Sequence, residues 1–278
     1  MRAIETTEGA GFRVHRPFPT RGLEHVDPFL LLDEMGPVDT APGDAKGAPD
    51  HPHRGFETVT YLLQGAVEHE DSAGHKGRIG PGDVQWMTAG AGIVHSEMPS
   101  AELRERGGRM HGFQLWVNLP RRDKMMSPRY QEIPADRIPE GRSADGQIVV
   151  KVIAGEALGA RSMIDTRTPI TYLDARAAAG AGGALPVPDG HRGFVYVYDG
   201  DGRFGGRPLV RGEMGMLDDG AASGELEFEA GAAGARFLLV TGQPLREPIA
   251  RYGPFVMSTQ GELLQALEDY RTGRLGMR

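Results

Sequence analysis

The chain contains no cysteine. Disulfide staples and thiolate–metal sites are therefore excluded, and any bound metal must be held by histidine and carboxylate. It also lacks a long apolar run. The longest near the start, Phe29-Leu30-Leu31-Leu32, falls far short of the roughly 20 residues needed to cross a bilayer. The opening residues, Met1 to Phe12, are polar and mixed and do not read as a secretory signal. A cytoplasmic protein with no membrane partner is expected. Positive charge is not in excess either. The 31 Lys and Arg against 38 Asp and Glu give a net charge of -7, which argues against direct nucleic-acid binding, since that relies on a basic face. A protein partner that itself binds DNA stays open.

What is present is turn chemistry. The 278 residues include 41 glycines and 20 prolines without a collagen-like period, the mark of turns between many short strands. Strand and turn alternate from Phe56 to Leu119. The run Phe56–Leu63 is β-branched and aromatic, Gly80-Pro81-Gly82-Asp83 is a turn, Val84–Met87 is a strand and Ala89-Gly90-Ala91-Gly92 breaks it. Ile93–Met98 and Gly112–Leu119 follow as strands. This spacing predicts an all-β barrel or sandwich. Residues 121–146, polar and carrying Pro128, Pro134 and Pro139, read as a linker. The domain organisation expected is therefore 1–120, a linker over 121–146, and 147–278 closed by a helix. Thr259 and Glu262 form a capping box for that helix, Leu263, Leu267 and Tyr270 its apolar stripe, and Gly273 its stop.

Two short segments carry the chemistry. His51-Pro52-His53 and His95-Ser96-Glu97 each place two potential ligands at i, i+2. In an extended strand such residues point to the same face. If the barrel joins the segments, three imidazoles and one carboxylate converge on a transition-metal site. The other histidines, among them His15, His25, His69, His75 and His111, read as surface or hydrogen-bonded residues. Glu57 is open to three readings, a fifth ligand, an acceptor behind a ligating imidazole N–H or an ordinary barrel-rim acid, of which the second is preferred; Arg54 reads as a structural ion-pair partner, and Phe56 and Trp86 as core. Gly90-Ala91-Gly92 lacks the Lys and Ser/Thr of a phosphate loop and leads into a strand.

The two halves look duplicated. His53-Arg54-Gly55-Phe56 recurs as His191-Arg192-Gly193-Phe194, and Phe113–Pro120 resembles Phe237–Pro244. Asp189 and Val195 stand where the first copy has His51 and Glu57, and no histidine follows His191. One metal per chain is expected, in the first half.

At these residues the chain resembles the pirin family of bicupin proteins. The resemblance rests on Asp27-Pro28-Phe29, the run from His51 to Tyr61, Gly80 to Met87, Gly90 to Glu97, Gln114 to Pro120 and Tyr252 to Met257. It implies an all-β fold of two cupin (double-stranded β-helix, jelly-roll) barrels packed face to face with a C-terminal helix. It implies a metal on His51, His53, His95 and Glu97, with Fe(II) first and Ni, Co, Cu, Mn and Zn open. Some members are similar to quercetin 2,3-dioxygenases. The activity implied is a dioxygenase opening the central ring of a flavonol with O2, with Glu97 as the catalytic carboxylate. Other members are described as regulators, which implies an iron-containing redox sensor with a protein partner. A small-molecule store or isomerase on the same scaffold is a third reading. A monomer is expected.

Overall fold

The computed structural model describes residues 1–217 and 224–276. Turn-punctuated strand text becomes strand along most of its length. In the first half these are β1 (Ile4–Glu8), β2 (Phe12–Phe18), β3 (Phe29–Thr40), β4 (Ala48–His53), β5 (Phe56–Gln64), β6 (Val67–Asp71), β7 (Lys76–Ile79), β8 (Val84–Thr88), β9 (Ile93–Pro99), β10 (Gly108–Asn118) and β11 (Arg129–Ile133). One short helix, α1 (Ala101–Arg106), stands between β9 and β10. A seven-stranded sheet has the order β1-β2-β3-β10-β5-β8-β11, and a four-stranded sheet the order β4-β9-β6-β7.

The larger sheet has one apolar and one mixed face, because directly paired residues point the same way. Leu32, Leu115, Val59 and Trp86 are partners in register and are fully buried. Each such side chain contributes about 1.5–3 kcal/mol by leaving water. The alternate row crosses five strands as Asp33, Gln114, Thr60, Gln85 and Glu132. Asp33, Gln114 and Thr60 of that row line the cavities described below.

The second half holds β12 (Glu140–Arg142), β13 (Ile148–Ala154), β14 (Glu156–Ala157), β15 (Ala160–Arg161), β16 (Ile170–Ala177), β17 (Gly182–Pro186), β18 (Arg192–Phe204), β19 (Arg207–Val210), β20 (Glu213–Leu217) and β21 (Glu225–Gly242). Its main sheet runs β12-β13-β16-β21-β18-β19, with β20 also on β18. The neighbour order β13-β16-β21-β18-β20 repeats β2-β3-β10-β5-β8, so the duplication is one of topology. The motif match is out of step, however. Phe56 lies opposite Asn118, whereas Phe194 lies opposite Val240 rather than Gly242. A two-residue offset keeps each side chain on its face, so the fold tolerates it. Val150, Leu173, Val197, Phe228, Phe237 and Leu239 share one buried cluster here. This barrel is filled by its own core.

The chain ends with β22 (Ala250–Tyr252), β23 (Phe255–Met257) and α2 (Gln260–Arg271). The expected capping box is present: Glu262 N–H donates to Thr259 Oγ1, and Thr259 N–H to Glu262 Oε2. Leu263 and Ala266 are buried and Leu267 packs beside them, but Tyr270 is largely exposed.

The expected domain boundaries need correction. One compact unit consists of Met1–Ile4, Thr20–Pro28 and Arg137–Pro244; the other of Glu5–Pro19, Phe29–Asp136 and everything from Leu245 on. The closing helix thus belongs to the first barrel's unit rather than to 147–278. The cause is long-range packing. Val256 is buried with Leu30 and Phe56, and Arg54 forms an ion pair with Asp269. Nor are residues 121–146 a plain linker. β11 pairs with β8 and β12 with β13, so this segment supplies an edge strand to each barrel. Prolines are tolerated at edges and strand ends, which is why a proline-rich text still forms strands.

Candidate metal centre

The two ligand segments become adjacent antiparallel strands. β4 pairs with β9 so that His51 faces His95 and His53 faces Ile93. The turn after β4 and the turn before β9 hold one another. Gly55 N–H donates to Gly90 O, and Arg54 Nε donates to Ala91 O at 2.7 Å. Gly90 has φ +51°, and a Cβ there would meet Met126 O at 2.1 Å. Only glycine suits that position.

The result is a cluster of three imidazoles. Ring centroids lie 4.5 Å apart for His51 and His95, 4.7 Å for His51 and His53, and 4.9 Å for His53 and His95. One ring nitrogen from each lies within 4.8 Å of the others. His53 Nδ1 and both ring nitrogens of His95 are buried without a hydrogen-bond partner. Buried polar atoms are ordinarily satisfied, and a cation among the three rings would satisfy one nitrogen of each ring. His51 Nδ1 lies 2.8 Å from Pro49 O. A carbonyl oxygen only accepts, so Nδ1 carries the proton and Nε2 keeps its lone pair. Burial pushes the His53 pKa well below the ordinary value and that of His95 down to about 4. Both rings are neutral at neutral pH, the state a metal requires.

Glu97 stands beside this group rather than within its 4.8 Å reach. Its Oε1 accepts from Thr60 Oγ1 and its Oε2 from Gln114 Nε2, each at 3.0 Å. Burial raises its pKa, but the neighbouring His95 and His51 and these two donors outweigh that and leave it lowered. The carboxylate is ionised, and each oxygen retains a lone pair for a metal or a proton. Glu57 accepts from Thr88 Oγ1 at 2.6 Å. Arg54 is a structural ion-pair residue, as its position in the motif suggests: Nη1 meets Asp269 Oδ2 at 2.9 Å. Phe56 is fully buried and its ring meets the edge of His53 at 5.1 Å; Trp86 is fully buried.

Five residues of the site were not foreseen from sequence: Thr60, Gln114, Asp33, Arg16 and Arg251. A signal existed for Gln114, a polar residue at an inward position of an otherwise apolar strand. Arg16 is locked on Asp33, with Nε to Oδ1 at 2.7 Å and Nη2 to Oδ2 at 2.6 Å, and it also binds Glu8. His51, His53 and Glu97 open on a cavity of about 550 Å³ whose walls include Phe12, Leu31, Met35 and Trp116. Such a volume suits a drug-sized ligand. A second, mostly apolar cavity of about 270 Å³ reaches Glu97 past Val38, Val67 and Leu103. Among the described residues, no helix is long and apolar enough to cross a membrane.

The chain matches known proteins along nearly its whole length. Residues 11–117 fit the family model described as Pirin, and residues 172–276 the one described as the Pirin C-terminal cupin domain. The chain is 46% identical to a Pirin-like protein of Solanum lycopersicum, covering 97% of this chain and 89% of that one. It is 45% identical to Pirin of Mus musculus, covering 98% and 91%. The crystal structure of a quercetin 2,3-dioxygenase from Acinetobacter baumannii superposes with a TM-score of 0.90 at 40% identity, covering 99% of this chain and 96% of that one. Two matched cupin domains, the first carrying a histidine triad with His53 and His95 buried, together with these relatives place the chain in the pirin family.

Proposed function

We propose that the protein is a metal-dependent dioxygenase that opens the central ring of a flavonol such as quercetin. The observation that carries this reading is the triad of His51, His53 and His95 with ionised Glu97 at one wall of a cavity large enough for a flavonol. The 40% identity to the quercetin 2,3-dioxygenase from Acinetobacter baumannii supports it.

The three imidazoles would hold one divalent transition metal per chain, Fe(II) first among the candidates, with Glu97 as fourth ligand. When bound, such a metal supplies Lewis acidity toward the flavonol 3-oxygen and redox contact with O2. The chain's own residues do the rest. Glu97 takes the proton of the 3-hydroxyl. Thr60 and Gln114 fix the carboxylate so that its free lone pairs face the cavity. Phe12, Leu31 and Trp116 provide apolar wall for the planar rings and keep water from the site. In the overall reaction O2 is the oxidant, the central ring opens and one carbon leaves as CO.

The test is aerobic turnover of quercetin by Fe(II)-loaded protein, followed by loss of flavonol absorbance and by CO release. The His51→Ala/His95→Ala double variant is run beside it. Turnover by the loaded protein and none by the variant is the expected result. The 45% identity to mouse Pirin supports a second reading, an iron-containing redox-sensing regulatory protein that binds a protein partner. An Fe(II)/Fe(III) change alters the site by one charge, enough to bias a nearby loop. Absence of turnover from fully loaded protein, with an oxidation-dependent partner in a pull-down, would favour it.

A further inference from the structure

We infer that Arg251 is a specificity residue: its guanidinium binds an anionic group, a carboxylate or phenolate, at the end of the substrate remote from the metal. This rests on the dioxygenase reading and narrows its substrate class to planar aromatic compounds that carry such a group.

Two basic side chains line the cavity, Arg16 and Arg251. Arg16 is spent: Asp33 takes it bidentately and Glu8 takes it as well. Arg251 is held without being neutralised. Its Nη1 donates to Leu30 O at 3.0 Å, and its Cζ lies 5.1 Å from the centre of the Trp116 ring. A carbonyl oxygen and an aromatic face orient a guanidinium but carry no countercharge. Four of its five N–H donors remain for a ligand.

Position matches charge. Trp116 joins Arg251 to the metal centre: its ring also meets the His53 ring at 5.4 Å and the Phe56 ring at 4.4 Å, and its Nε1 donates to Gln114 Oε1. Two ring-sized steps therefore separate guanidinium and imidazole, the scale of a two- or three-ring aromatic skeleton. A ligand whose 3-oxygen sits at the histidines can set its far ring along the Trp116 wall and its terminal oxygen on Arg251. The remaining charges do not oppose this. Glu8 and Asp33 are engaged by Arg16, Asp50 is exposed at the rim, and Glu97 would be offset by a divalent ion held at the triad. Arginine's planar fork pairs bidentately with a carboxylate, the strongest of the hydrogen-bonded ion pairs.

The probes are 3-hydroxyflavone and its 7-carboxylate and 4′-carboxylate derivatives, on metal-loaded protein. Wild type should prefer one carboxylate over the neutral parent by about tenfold or more in kcat/KM, through KM. Arg251→Met should reduce that ratio to near unity, and Arg251→Lys should restore most of it. Metal content, measured in each variant, should match wild type. Flavonol fluorescence titration reads the same ratio as binding affinity, so the inference stays testable if no flavonol is turned over. That failure would count against the dioxygenase reading alone. Absence of preference for either carboxylate in wild type, or a preference that survives Arg251→Met, overturns the assignment.

Discussion

Arg54 and Asp269, 215 residues apart, form an ion pair at 2.9 Å in which the arginine side chain is 3% exposed and the aspartate 16%. The pair joins the residue after His53 to the C-terminal helix α2. It also ties that turn to the loop before β9, because Arg54 Nε binds Ala91 O. Removing one partner of a buried pair leaves a charge without compensation. Asp269→Asn should therefore cost about 3 kcal/mol of stability, read as a shift in urea midpoint. Metal affinity should fall with it, because His53 loses its fixed neighbour. A loss below about 1 kcal/mol would show that the helix is held by apolar contacts alone.

Glu97→Gln separates ligand from base. The amide keeps the shape but cannot take a proton. If Glu97 accepts the 3-hydroxyl proton, turnover should fall by about 10²–10⁴ while metal content measured by elemental analysis falls far less. Equal loss of both would reduce Glu97 to a ligand.

The metal-free protein should lose stability in acid through its buried histidines. For His95 the folded pKa of about 4 lies below the ordinary 6.5. Between those values the unfolded chain binds the proton and the folded one does not, so stability rises with pH. The contribution is complete above about 6.5 and gone below about 4, and amounts to about 3 kcal/mol. His53 is shifted the same way by burial. Urea midpoints at pH 7 and pH 4.5 should differ strongly in wild type and less in His95→Asn. Equal pH dependence in the two would show that His95 is not buried in solution.

Lys124 is a buried cation with three acceptors: Gly55 O at 2.8 Å, Asn118 Oδ1 at 2.6 Å and Val256 O at 3.0 Å. It links the turn after His53 to β23. Lys124→Met leaves these oxygens unsatisfied and should cost about 2–4 kcal/mol. Burial lowers its pKa to about 8. From pH 8 to about 10.5 the unfolded chain binds the proton and the folded one does not, so wild type gains stability with rising pH. The difference from Lys124→Met, followed by chemical denaturation, should widen above pH 8. A gap that narrows there would reverse the sign of the shift.

The site was partly legible because its ligands come in local pairs. His51 with His53, and His95 with Glu97, declare a shared face through strand periodicity alone. The capping box at Thr259 and Glu262 was legible for the same reason. The residues that tune the site were not. Thr60 and Gln114 reach Glu97 from β5 and β10, and neither has a neighbour in sequence that marks the role. The polar row from Asp33 to Glu132 exists only once five strands fall into register.

Sequence by itself determined the chemistry on offer and the kind of fold: histidine and carboxylate without thiolate, strands rather than helices, a candidate metal set in the first half, and a second half with a single histidine of the repeated motif. Those properties depend on residue identity and on spacings of two to four, which the backbone converts directly into shared faces and caps. Tertiary structure decided which segments close the barrel, that residues from Leu245 onward return to the first unit, and that Arg251 lines the cavity, held by Leu30 O and the Trp116 ring. These depend on contacts between residues up to 221 apart. Such contacts are chosen by burial and register across the whole molecule, not by anything written next to the residue itself.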